Sequence, residues 1–108
     1  MCIRDRWLSD FEQNVLDSIS DFDFNLERLS TMIYLSPRQI RRRLKQLTGL
    51  TFSQYLKTAR FKEARRLLEL GEVKTIKELS YKVGMKDVKY FSQQFKKHFG
   101  KSPSMYLD

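Results

Sequence analysis

Two stretches of this chain, about 50 residues apart, carry the same pattern, and that repeat restricts the fold more than any other feature. Leu26, Leu29, Ser30 and Ile33 correspond to Ile76, Leu79, Ser80 and Val83. After one inserted residue, Ile40, Leu44, Lys45 and Gly49 correspond to Phe91, Phe95, Lys96 and Gly100. The match runs on through Thr51, Ser53, Tyr55 and Leu56 onto Ser102, Ser104, Tyr106 and Leu107. Apolar residues recur at helical rather than alternating spacing, and glycine and proline are scarce, four and two in 108 residues. The chain is therefore expected to be all-α. Each copy reads as a short helix, a tight turn and a longer helix on a polar cap, the pattern of a helix-turn-helix.

The spacing predicts about seven helices, with two helix-turn-helix units joined by a long linking helix. Residues 7–24 are expected to form a leading helix striped by Leu8, Phe11, Val15 and Ile19, with Ser9 or Asp10 as its cap and acids near its start. Trp7 anchors that helix or is disordered beside it. The first unit covers residues 25–50. Its second helix opens on Ser36, with Pro37 at the first helical position and Gln39 completing a capping box, and it ends at Thr48-Gly49. Residues 51–71 form the linking helix, opened by another capping box, Thr51 to Gln54, and stopped at Gly71. Residues 72–108 hold the second unit and a short closing helix opened by Ser102-Pro103. The first six residues, MCIRDR, can be back-translated into a transposon-end sequencing adapter, so residues 1–6 are read as a scar and Cys2 as incidental.

The formal net charge is +8, unevenly spread. Trp7 to Phe24 holds five acids and no base, whereas Asn25 to Asp108 holds 19 bases against seven acids. An excess of that size points to a polyanion, either nucleic acid or an anionic membrane surface. No apolar run approaches the ~20 residues of a membrane span, and no charged-then-apolar leader opens the chain. A lone cysteine fits a reducing, cytoplasmic setting. His98, the single histidine, has no cysteine or histidine near it for a metal and reads as a half-buried structural residue. No nucleophile–base–orienter set and no phosphate-binding glycine loop is visible, so neither an enzyme nor a cofactor is expected. Phe91, Phe95 and Phe99 stand at helical spacing and read as core rather than a stacking platform.

The run SPRQIRRRLKQLTG, Ser36 to Gly49, places five cations in eight residues. With Ile40 at the origin and ~100° per residue, Leu44 and Leu47 share its face. Arg38, Arg42 and Lys45 fall opposite, Arg41 to one side. Arg43 falls on the flank of the buried arc, so the three consecutive arginines are not equivalent. Arg43 is expected to pack its stem across the fold, pair with an acid or touch a phosphate. In the second unit Phe91 and Phe95 face inward while Lys89, Gln93 and Lys96 face outward. Arginine bonds guanine O6/N7 bidentately and glutamine adenine N6/N7; Val88 offers only a thymine-methyl contact. The Ser36 hydroxyl and helix N-terminal amides are phosphate donors. Lys45, Lys96 and Lys97, with the repeat-equivalent Ser53 and Ser104, complete the expected phosphate set. About 19 linking residues at ~1.5 Å each give ~28 Å, against ~34 Å for a turn of duplex. Two such helices are expected to reach successive major grooves.

The closing run YKVGMKDVKYFSQQFKKHFGKSPSMYL, with Gly84, Asp87, Tyr90-Phe91, Phe95-Lys96, Phe99-Gly100 and Ser102-Pro103 in order, resembles the AraC/XylS family of bacterial transcription regulators. The similarity covers about Asn25 to Leu107, and Trp7 to Phe24 resembles the helix that often precedes the first unit. The resemblance implies base-reading positions at Arg38, Arg41 and Arg42 and at Val88, Lys89 and Gln93. It implies double-stranded DNA and RNA polymerase as partners, and an upstream sensor or receiver domain outside this chain, the isolated domain being monomeric. A complete small monomeric activator, or a helical module for protein or RNA, are the alternatives. Two positions depart from the pattern. Tyr34 stands where the second unit has Gly84, in a turn where a positive φ would strain it. Gln93 stands where arginine is frequent in the family.

Overall fold

A computed structural model describes residues 4–107. Six α-helices run in order: α1 Arg4–Asp17, α2 Leu26–Ile33, α3 Pro37–Thr48, α4 Phe52–Glu69, α5 Ile76–Lys82 and α6 Val88–Phe99, closed by a 3-10 turn over Pro103–Tyr106. The all-α expectation holds, and the repeat becomes two units, α2–α3 and α5–α6, joined by α4. Of the suspected scar, Met1–Ile3 lie outside the described residues, Cys2 among them, while Arg4–Arg6 open α1.

The caps form as the residue types dictate. Asn25 and Thr75 cap α2 and α5, accepting from the Arg28 and Glu78 amides. Ser36 and Thr51 form full capping boxes with Gln39 and Gln54 on α3 and α4. Gly49 and Gly100 close α3 and α6 in the left-handed conformation. Both helix-turn-helix corners share one detail: the Ser30 hydroxyl donates to the Leu35 carbonyl, and the repeat-equivalent Ser80 hydroxyl to the Met85 carbonyl. Each serine holds its turn against the helix before it.

The first turn departs from what its side chain favours. Tyr34 adopts φ 57° and ψ 36°, the conformation that Gly84 takes at φ 78° in the second unit. The left-handed geometry is kept at the expense of a Cβ contact, and the ring is 92% exposed.

Two separate cores hold the chain. The first gathers Phe11, Val15, Ile19, Phe24, Leu29, Ile40, Leu44 and Leu56 from α1 to the start of α4. The second gathers Phe61, Ala64, Leu67, Leu68, Val73, Leu79, Val83, Phe91 and Phe95. One half of α4 serves each core, so this 18-residue helix is both spacer and shared wall.

The leading helix differs from the sequence reading at both ends. Ser9 and Asp10 lie inside α1 rather than capping it, because the apolar stripe begins further back. Trp7 stacks on Phe11, one turn further on, with centroids 5.1 Å apart, and anchors the helix ahead of Ser9 and Asp10. The helix stops at Asp17, yet Ile19 still enters the core, from the turn that follows.

Candidate nucleic-acid interface

The helix α3 has two faces, as its sequence requires. Ile40 and Leu44 are fully buried, and Leu47 is half-buried at their edge. Arg38, Arg41, Arg42 and Lys45 are all exposed. These four side chains line one groove, of about 650 Å³, with Thr51, Phe52 and Ser53 at the start of α4. The Ser36 oxygen accepts from the Gln39 amide at 3.2 Å, which leaves the hydroxyl proton free to donate outward. Lys45 donates to the Gly49 carbonyl at 3.1 Å, so it also seals the end of its own helix.

Arg43 parts from its neighbours. Its guanidinium sits over the Trp7 ring, 5.3 Å from the centroid, on the side of α3 that meets α1. Arg43 is exposed like Arg41 and Arg42, but it lies over Trp7 and outside the groove that Arg38, Arg41 and Arg42 line, the division that the helical wheel gives.

In α6, Phe91 and Phe95 are fully buried; Lys89, Gln93, Lys96 and Lys97 are exposed and Val88 half-exposed. Asp87 caps the helix through the Tyr90 amide at 2.9 Å. Among the described residues, none of the exposed cations of α3 or α6 is held in a salt bridge. His98 differs from its half-buried expectation. It is exposed, one position round from the buried arc, but its ring lies 5.4 Å from Phe61 and 4.6 Å from Phe99 and covers the second core. Ser104 is exposed and bonds Ser102 at 3.0 Å, on the closing turn rather than in the α3 groove.

The two units present themselves on one side of α4. Ser53 and Lys57 are four residues apart on that helix and share a face. Ser53 borders the α3 groove and also a second groove that reaches Met85 and Tyr90 in the second unit. Lys57 donates to Gln94 of α6 at 2.8 Å. Lys57 and the exposed Tyr90 therefore stand between the α3 groove and α6, where sequence reasoning had no residue. The spacing of Lys57 from Ser53 was the available signal.

A family model described as a helix-turn-helix domain matches residues 29–108. RhaS, a transcriptional activator of Escherichia coli, is 36% identical over 81 residues, covering 75% of this chain and 29% of that protein. The chain belongs to the AraC/XylS family. A second relative of this AraC-type domain, named histidine kinase P4 of Formosa agariphila, is 33% identical over 92 residues, covering 85% of the chain but 7% of the kinase. The chain thus spans under a third of the length of these curated relatives. Among solved structures, the C-terminal domain of AraT, a response regulator from Geobacillus stearothermophilus, matches with a TM-score of 0.79 at 33% identity, covering 91% of this chain and 80% of that one. The DNA-binding domain of AdpA, solved in complex with a target DNA, matches with a TM-score of 0.78 at 29% identity, covering 92% and 87%. Both likenesses extend over more than nine-tenths of this chain.

Proposed function

We propose that this chain binds double-stranded DNA by sequence, with α3 and α6 in successive major grooves, as the output domain of a larger bacterial transcription regulator. The observation that carries the reading is the groove on α3, where Arg38, Arg41, Arg42 and Lys45 converge beside Ser53 without acidic partners. The same side of α4 leads on to α6, and the long axis of 42 Å accommodates the ~34 Å between successive grooves. The likeness to a domain solved on its target DNA supports the same reading.

The roles divide by chemistry. Arg38, Arg41, Arg42, Lys89 and Gln93 read base edges, and Val88 contributes an apolar contact. Ser36, Lys45, Ser53, Lys96, Lys97 and Ser104 contact phosphates, which supplies affinity and a steep salt dependence. An upstream sensor or receiver segment sets when the domain acts, as the response-regulator neighbour supports. RNA polymerase is the partner through which bound protein alters transcription, in the cytoplasm.

The test is an anisotropy titration of duplex DNA over a salt series, followed by selection from randomised sites. Arg42→Ala should relax one base position at ~1–3 kcal/mol, whereas Lys45→Ala should weaken all sequences alike. A salt-independent titration, or preference for single-stranded RNA, would favour a protein- or RNA-interaction module instead.

A further inference from the structure

The two cores share only α4, so how one unit is turned relative to the other rests on that one helix and on contacts outside the cores. A helix shared by two bodies can still bend along its length. Beside the Lys57–Gln94 bond, three further contacts outside the cores oppose that motion, and they meet at one place.

The first is Arg60, in the middle of α4. Its Nη2 donates to the Asp21 carbonyl at 3.1 Å, while its Nε is buried without a hydrogen-bond partner. Holding a guanidinium half-buried with one donor unsatisfied costs free energy, which the contacts around Arg60 must offset. The second is Gly84, in the turn of the second unit. A Cβ added there would lie 2.3 Å from the Ile19 carbonyl and 3.0 Å from Arg60 Nη2. The backbone after α1, the middle of α4 and the second turn therefore touch with no room for a methyl group. The third is Phe22. Its ring meets Tyr81 of α5 edge-on at 5.4 Å, and Lys86 Nζ lies over it at 5.4 Å.

The same segment is tied to the first unit. The Asp21 carboxylate pairs with Arg28 of α2, and Phe24 lies buried in the first core. Residues 18–24 thus form a second strut between the units, running beside α4 and bolted to it by Arg60.

The geometry assigns Arg60, with Phe22 and Asp21 on the strut, as positioning residues that set the angle between α3 and α6 and thereby the half-site spacing the domain accepts. This rests on the DNA-binding reading for its consequence, but the positional part stands without DNA. Two tethered modules gain affinity only when geometry lets both engage, so loosening the strut should flatten spacing preference while each groove's base preference stays.

The experiment has two arms, on the chain with Cys2→Ser. Spin labels at Gln46→Cys on α3 and Lys97→Cys on α6 report the distance between the helices by pulsed dipolar spectroscopy in the absence of DNA. The parent should give one narrow distribution, and Phe22→Ala and Arg60→Met broad or shifted ones at unchanged helical content. Phe22 is a surface residue, so that variant keeps the test open if Arg60→Met fails to fold. In the second arm, unlabelled protein is titrated with selected half-sites separated by one-base-pair steps. The parent should prefer one spacing by ~tenfold or more and the variants by under ~twofold. A folded variant with the parent's distance distribution and spacing preference overturns the assignment. A parent that binds no duplex at any spacing refutes the DNA reading, and the labelled pair still decides whether the strut positions the helices.

Discussion

Tyr34 and Gly84 hold the same left-handed turn in opposite surroundings. At Tyr34 the cost is conformational: roughly 1–2 kcal/mol for a non-glycine residue in that region, offset by about 0.5–1 kcal/mol of chain entropy if glycine replaces it. With the ring in solvent there is little packing to lose, so Tyr34→Gly should stabilise by on the order of 0.5 kcal/mol in a denaturant titration. Gly84→Ala should cost about 2–4 kcal/mol, because strain and the Ile19 carbonyl act together. Equal responses at the two positions would contradict the packing difference. Tyr55 makes a third residue-level case. Burial, and then the Glu12 carboxylate, pushes its phenol up to about 12 from 10.0. A folded value above the unfolded one means its contribution is complete below pH 10 and is lost as pH rises towards 12. Tyr55→Phe should therefore show a smaller fall in Tm across that window than the parent. A fall matching the parent's would rule the residue out.

Each of the helices shows why some of this was legible in sequence. In α3 the cap, the proline, the apolar stripe and the closing glycine all agree, so its boundaries and its two faces follow from residue types alone. The faces separate in their expected mutants. Leu44→Ala should cost about 2–5 kcal/mol of stability, whereas Arg42→Ala should stay within about 0.5 kcal/mol and change only DNA discrimination. Loss of stability in the Arg42 variant by more than the Leu44 one would invert that assignment. The start of α1 was not legible, because Ser9 and Asp10 look like caps until Trp7 is seen stacked on Phe11. Lys57 and Tyr90 were missed for a different reason. Their place depends on α4 meeting α6 across 37 residues of sequence, as the Lys57–Gln94 bond does, and no local period encodes that. His98, expected half-buried, is exposed because the second unit covers its core with Phe99 as well.

At the scale of the molecule, an acidic leader and a basic pair of units meet along α4, and among the described residues no acid pairs with the exposed cations of α3 and α6. Each phosphate contact releases counterions, so Lys96→Ala should reduce the slope of log K against log salt by about 1 for every sequence alike. A sequence-dependent change would instead make Lys96 a base reader. The contact between Arg43 and Trp7 has a practical consequence at this scale. The chain has one tryptophan, and it lies against the back of α3, beside Arg43 and Phe11. Its emission is therefore a built-in optical reporter of the first unit, and α6 carries no tryptophan. Titrated with duplexes carrying one half-site or the other, the native chain would report which end is occupied, without any attached dye.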